Sequence, residues 1–141
     1  MEPRLSTVPE PVAASVPSGE APLVEALLAL YDEEGRLYRG VLTLARQQLD
    51  AVQRRAALPE VRGLLAQKRA QLEQIDRLEA QARLTKEAWR RGRSRWSPEA
   101  KARVHRSLCD ITGLVEEILS YEERCDAALL SQAEGEGWKR R

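Results

Sequence analysis

Two interleaved hydrophobic stripes run through the first half of the chain. Leu23, Leu27, Leu30, Leu37, Val41, Leu44 and Ala51 advance by alternating steps of four and three, broken only by Glu34 and Gln48; Val24, Leu28, Tyr31, Tyr38, Leu42, Ala45, Leu49 and Val52 repeat the rhythm one residue later. This spacing predicts a helix over about residues 23–57. Together the stripes cover roughly 160° of its circumference, more than one neighbouring helix can hide, so two neighbours are required. A second segment, about 59–91, places Val61, Leu64, Leu65, Leu72, Ile75, Leu78, Ala82 and Trp89 on one side. Lys68, Gln71, Glu79 and Thr85 interrupt that side, making it the weakest of the apolar faces. A third segment, about 98–132, carries Val104, Leu108, Ile111, Val115, Ile118, Cys125 and Leu129, with Glu122 the only charge on the stripe and Leu114, Tyr121 and Ala128 beside it.

Prolines punctuate these segments. Pro59 and Pro98 fall where a new helical pattern begins, a place where a missing backbone N–H costs nothing, and Ser97-Pro98-Glu99 reads as N-cap, first helical residue and acidic first turn. Five of the seven prolines lie in residues 1–22, an arm without hydrophobic period that is expected to be disordered. At the other end, the glycines of "SQAEGEGWKRR" are expected to stop the third helix and leave residues 133–141 frayed. Three rods, each on the order of 50 Å long, joined by short connections near Leu58 and over 92–97, predict an all-α fold. Its architecture is an elongated antiparallel three-helix bundle or helical hairpin with coiled-coil-like packing over residues 23–132. Glu34, Gln48, Lys68 and Glu122 stand on the stripes themselves, where polar residues set helix register or mark an edge open to water or to a partner.

Composition agrees with long amphipathic helices: 43% hydrophobic and 32% charged residues, 4% aromatic and no Phe. The N-terminus has no basic cluster followed by an apolar run, and no stretch approaches the roughly 18 consecutive apolar residues of a membrane helix. A soluble, cytoplasmic protein is expected, with no membrane insertion. The formal net charge is only +1, yet residues 83–106 hold nine Lys or Arg against Glu87 and Glu99, a local charge of +7 that leaves −6 for the rest. At its centre is "WRRGRSRW". Arg90, Arg91, Arg93 and Arg95 between Trp89 and Trp96 could pair with phosphates and stack on bases. They also sit where a helix ends, where basic residues complement the macrodipole, and a nucleic-acid binder usually has a charged surface, not merely a charged tip. The stretch reads as the charged turn between the second and third helices, with an acidic protein partner as the alternative and nucleic acid disfavoured.

Catalytic chemistry is not legible. His105 is the only histidine, and no second imidazole accompanies it to hold a metal. Cys109, four residues after it, lacks an oxyanion site, and Cys109 and Cys125 would stand about 24 Å apart in one helix, too far to bridge. The acidic runs Asp32-Glu33-Glu34, Glu116-Glu117 and Glu122-Glu123 fall mostly outside the stripes and read as solvated faces. No glycine-rich phosphate loop or nucleophile motif is present. The expectation is a protein that binds, with no enzymatic activity, cofactor, metal or small-molecule substrate.

The order of "LVEALLALYDEEGRLYRGVLTLARQQLDAV", "LPEVRGLLAQKRAQLEQIDRLE" and "LVEEILSYEERCDAALL" resembles the FlgN-type flagellar export chaperones over roughly residues 23–132. These are small all-helical proteins with a long first helix, a second helix carrying a lysine after a Leu-rich turn, here Lys68, and an amphipathic C-terminal helix. The resemblance implies an ATP-independent cytoplasmic chaperone that holds hook-associated proteins before secretion and presents them to the export gate. By position, it places the substrate contact on Ile111, Leu114, Val115, Ile118, Leu119, Tyr121, Cys125 and Leu129. The Pro-rich arm and the basic tip depart from the family pattern. The competing expectation is a structural coiled coil, an adaptor or homodimeric scaffold that buries its stripes against a copy of itself, whereas the chaperone is a monomer or weak homodimer.

Overall fold

Both stripes of the first segment are buried at once, because a helix lies on each side of it. The structure, a computed structural model, describes residues 16–139, and side chains to residue 135. Among the described residues there are four α-helices and no strand: α1 (Glu20–Gln53), α2 (Leu58–Gln81), α3 (Arg83–Arg91) and α4 (Pro98–Lys139), with a 3-10 turn, Arg93–Arg95, before α4. Side-chain pairing fixes their directions. Arg54 meets Glu60, Gln48 meets Lys68 and Leu42 packs with Ile75, so α2 runs antiparallel to α1. Glu20 meets Ser97, Glu25 meets Arg103, Arg46 meets Glu117 and Gln132 meets Val52, so α4 returns alongside α1 in the same sense. The result is the expected all-α up-down-up arrangement with α1 in the middle.

The core follows from this arrangement. Leu23, Leu27 and Val41 on α1 are completely buried, each contributing up to about 1.5–3 kcal/mol of hydrophobic stabilisation. Val24, Leu27, Leu30 and Tyr31 pack with Ala100 and Val104; Val41 and Leu42 with Ile75 and Ile118; Leu49 and Val52 with Cys125. Where α1 buries two stripes, α2 buries only Lys68 and Ile75.

The helix boundaries depart from the expected ones in informative ways. The arm expected over residues 1–22 lies outside the described residues up to 15, and Glu20–Pro22 belong to the first turn of α1, where proline is tolerated. α1 ends at Gln53, short of 57, in a Schellman turn: Ala56 N donates to Ala51 O at 2.9 Å, Arg55 N donates to Val52 O at 3.1 Å, and Arg55 takes the left-handed conformation. The middle rod is two helices, because Ala82 leaves helical geometry (φ −94°, ψ 3°). Lys86 reaches back across that break to Glu79. α4 continues through Gly135 to Lys139, so the expected stop at 132 is absent; a glycine within a helix costs only about 1 kcal/mol.

Ser97 caps α4 as the sequence predicts, its Oγ accepting from Ala100 N at 3.1 Å. WRRGRSRW forms the end of α3 and the turn into α4.

Candidate functional site: an open groove between α2 and α4

α1 packs along both α2 and α4, while those two meet each other chiefly through side chains. Helical phase shows what stands along their seam. Taking Ile118 as the direction of α1, Glu122, Val115, Leu108 and Leu119 lie at about 40°, 60°, 80° and 100° round to one side of α4. Glu122 on that side touches Lys68, so the side faces α2. On α2, with Ile75 as reference, Val61, Leu72, Leu65 and Leu58 lie at about 40°, 60°, 80° and 100° toward α4. These leucines are not covered: Leu72 is 40% exposed and Leu119 55%. Beside the last turn of α1, Leu129 and Leu130 are also exposed on α4. The seam is therefore a furrow with leucines on both banks, Asp76, Lys101 and Asp126 at the same phase beside them, and Lys68 and Glu122 bridging its middle.

The substrate-contact residues expected from the resemblance are divided by this geometry. Ile118 and Cys125 are core, packed on α1 and closed to any guest. Ile111, Leu114 and Tyr121 are half-buried and turn toward α1 as well. Val115 is half-buried at the groove edge, and Leu119 and Leu129 are open. Leu65, Leu72 and Leu108 complete the furrow but were not among the expected contacts. Their signal was the seven-residue recurrence of Leu65 and Leu72 on a face already marked as the weakest.

Two polar layers cross the bundle. In the first, Lys68 Nζ donates to Gln48 Oε1 at 2.7 Å and pairs with Glu122, and Gln48 Nε2 donates to Cys125 Sγ at 3.5 Å. Three helices are thus tied at one height. Lys68 is only 7% exposed, and the charge is tolerated because both acceptors converge on it. Burial, then the Glu122 charge, pushes the Cys125 thiol up. In the second layer Glu34, 2% exposed, has a carboxyl oxygen with no hydrogen-bond partner and lies against Glu79 of α2. Burial first, then the hydrogen bond and charge of Glu79, push Glu34 up to about 8, against the opposing charge of Lys86. Glu79 moves the other way, held down by its hydrogen bond to Glu34 and by Lys86. The opposite shifts favour the proton on Glu34 over Glu79, and Glu79 pairs with Lys86. The Lys86 ammonium lies 5.7 Å from the ring centre of Tyr31, whose hydroxyl is pushed up to about 12 by burial and then by Glu34 and Glu79.

Elsewhere, exposed Cys109 stands 3.4 Å from His105 Nε2 one turn away, and Cys125 is a second free thiol. Among the described residues, no three His, Cys, Asp or Glu side chains converge on a metal-sized site, and no helix is long and apolar enough to cross a membrane. Compared with family models, curated proteins and solved structures, the chain matches none.

Proposed function

We propose that this protein is a flagellar export chaperone of the FlgN type, acting in the cytoplasm by binding and not by catalysis. Its guest is the amphipathic terminal helix of a hook-associated protein, held unpolymerised and then presented to the export gate. The observation that carries the reading is the uncovered, leucine-lined furrow between α2 and α4, which lacks one helix to make a closed four-helix bundle. A guest helix with apolar residues at i, i+3, i+4 and i+7 fills such a furrow. Ordering a flexible segment consumes about 2–5 kcal/mol of the gross interaction, which keeps the complex releasable without ATP. The order of the Leu-rich helical segments around Lys68 supports the same reading.

Co-purification with hook-associated proteins from a flagellated host tests it. Leu72→Asp and Leu119→Asp, both at exposed positions, are expected to lose the guest while far-UV circular dichroism stays unchanged. Retention of the guest by both variants contradicts the proposal. The same exposed leucines also favour a second reading, a homodimeric helical scaffold in which a second copy covers the furrow. A tight dimer in light scattering that loses helicity on dilution selects that reading; a monomer or weak dimer selects the chaperone.

A further inference from the structure

The arginine turn lies at the end of the molecule opposite the overhang of α4, and the groove makes no use of it. Arg90, Arg91, Arg93 and Arg95 are all exposed. They project from a turn that is pinned on both sides. Trp96 lies flat on Trp89, with 5.5 Å between ring centroids and 8° between planes, and its Nε1 donates to Trp89 O at 2.7 Å. Gly92 permits this: a Cβ there would stand 2.1 Å from the Trp96 ring. On the other side Glu20 accepts hydrogen bonds from Ser97 N at 2.6 Å and Ser97 Oγ at 2.8 Å. Guanidinium groups on a fixed turn surrender less freedom on meeting a ligand than the same groups on a loose loop.

The field at this end is positive for two reasons. The local charge of +7 is one. The parallel course of α1 and α4 is the other, since it brings the N-termini of two long helices, the positive ends of their macrodipoles, to the same place. The carboxylate of Glu20, bonded to Ser97, and the C-terminus of short α3 offset it only in part, and Glu87 is shared between Arg83 at 3.5 Å and Arg91 at 3.9 Å. Beside the arginines, Leu84, Ala88 and Trp96 line a cleft over Leu23, with Arg91 and Arg95 also in its wall. Leu84 is 42% exposed. An apolar floor flanked by two guanidiniums matches a segment that carries carboxylates next to a hydrophobic side chain.

Single-stranded nucleic acid matches less well, because its affinity for such a surface comes from bases stacked on open aromatic faces. Here the two rings cover each other, the Arg95 guanidinium lies 5.4 Å over Trp96, and Trp89 packs against the core. We propose that the Arg91–Arg95 end of the bundle is a second docking surface, independent of the groove, for an acidic segment of a partner protein that places a hydrophobic side chain in the Leu84–Ala88–Trp96 cleft.

The test uses the full, 15N-labelled chain and a fluorescein-labelled peptide of repeated Glu-Glu-Leu, with oligothymidine of equal charge as competitor. Expected are shifts of the Trp96 indole and Ala88 amide signals, and a Kd that rises about tenfold between low and moderate salt. Arg91→Glu with Arg95→Glu is expected to weaken binding by about tenfold or more with helicity retained. Should that pair lose helicity, Arg91→Gln with Arg95→Gln carries the test, with about threefold weakening expected. Leu119→Asp is expected to leave this binding intact, which separates it from the groove. Absence of peptide binding at low salt, binding indifferent to the arginine substitutions, or equal affinity for oligothymidine with the same Trp96 shift overturns the proposal.

Discussion

Glu34 occupies a position that the α1 stripe reserves for an apolar side chain, and its state of protonation is set by what α2 and α3 bring to it. Folding raises its affinity for a proton, from an ordinary value of 4.5 to about 8. Between those limits the folded chain holds a proton that the unfolded chain has released, so stability from this group is complete below the lower limit and is lost as pH rises through the upper one. Glu79, shifted down, contributes in the opposite sense and loses its contribution as pH falls below the usual carboxylate range. Urea midpoints are therefore expected to decline from about pH 5 to pH 8 in the parent protein. Glu34→Gln, which keeps the neutral shape, is expected to flatten that decline; an unchanged slope in the variant contradicts the assignment. The sequence marked Glu34 as a polar interruption of the stripe. Its partner was not visible there, because Glu79 is 45 positions away and only the antiparallel register of α2 brings them together.

At the scale of elements, the layer of Gln48, Lys68 and Glu122 fixes how three helices are aligned. Removing one member of a buried pair strands the other, while replacing the partners together by apolar side chains of similar volume does not. Glu122→Ala leaves the Lys68 ammonium buried with Gln48 as acceptor, and a loss of about 1–3 kcal/mol is expected, reduced from the fully buried case because Glu122 is partly exposed. Lys68→Met combined with Gln48→Leu, which removes the buried charge and its buried acceptor together, is expected to change stability by no more than about 1 kcal/mol, since the partly exposed Glu122 can turn to water. Denaturant midpoints at constant m-value check the order of the two, and the reverse order contradicts the proposed pinning. Element identity was legible from stripes alone: the two faces of α1 demanded two neighbours and found them. Helix ends were less legible. Arg55 ends α1 in a conformation more common for glycine, Ala82 breaks the middle rod without proline or glycine, and Gly135 fails to stop α4. In each case local propensity was outweighed by packing and hydrogen bonding along the chain.

For the whole molecule, the consequence of placing α1 between two helices is asymmetry. One seam of each flanking helix closes on α1, and the seam between α2 and α4 stays open, with leucines on both banks and an ion pair across the middle. The family resemblance placed the guest surface on the apolar stripe of the third helix, but the centre of that stripe, Ile118 and Cys125, is where α4 meets α1. The open residues lie one step round the helix, a distinction that depends on which neighbours are present. Leucine methyl NMR of the full chain, titrated with a peptide of the terminal helix of a hook-associated protein, measures the groove most directly. The expected result is that the methyl signals of Leu65, Leu72, Leu108 and Leu119 shift together while those of Leu23 and Leu27 stay fixed. Saturating peptide with no movement at those four leucines, or with movement confined to the core pair, contradicts a guest site between α2 and α4.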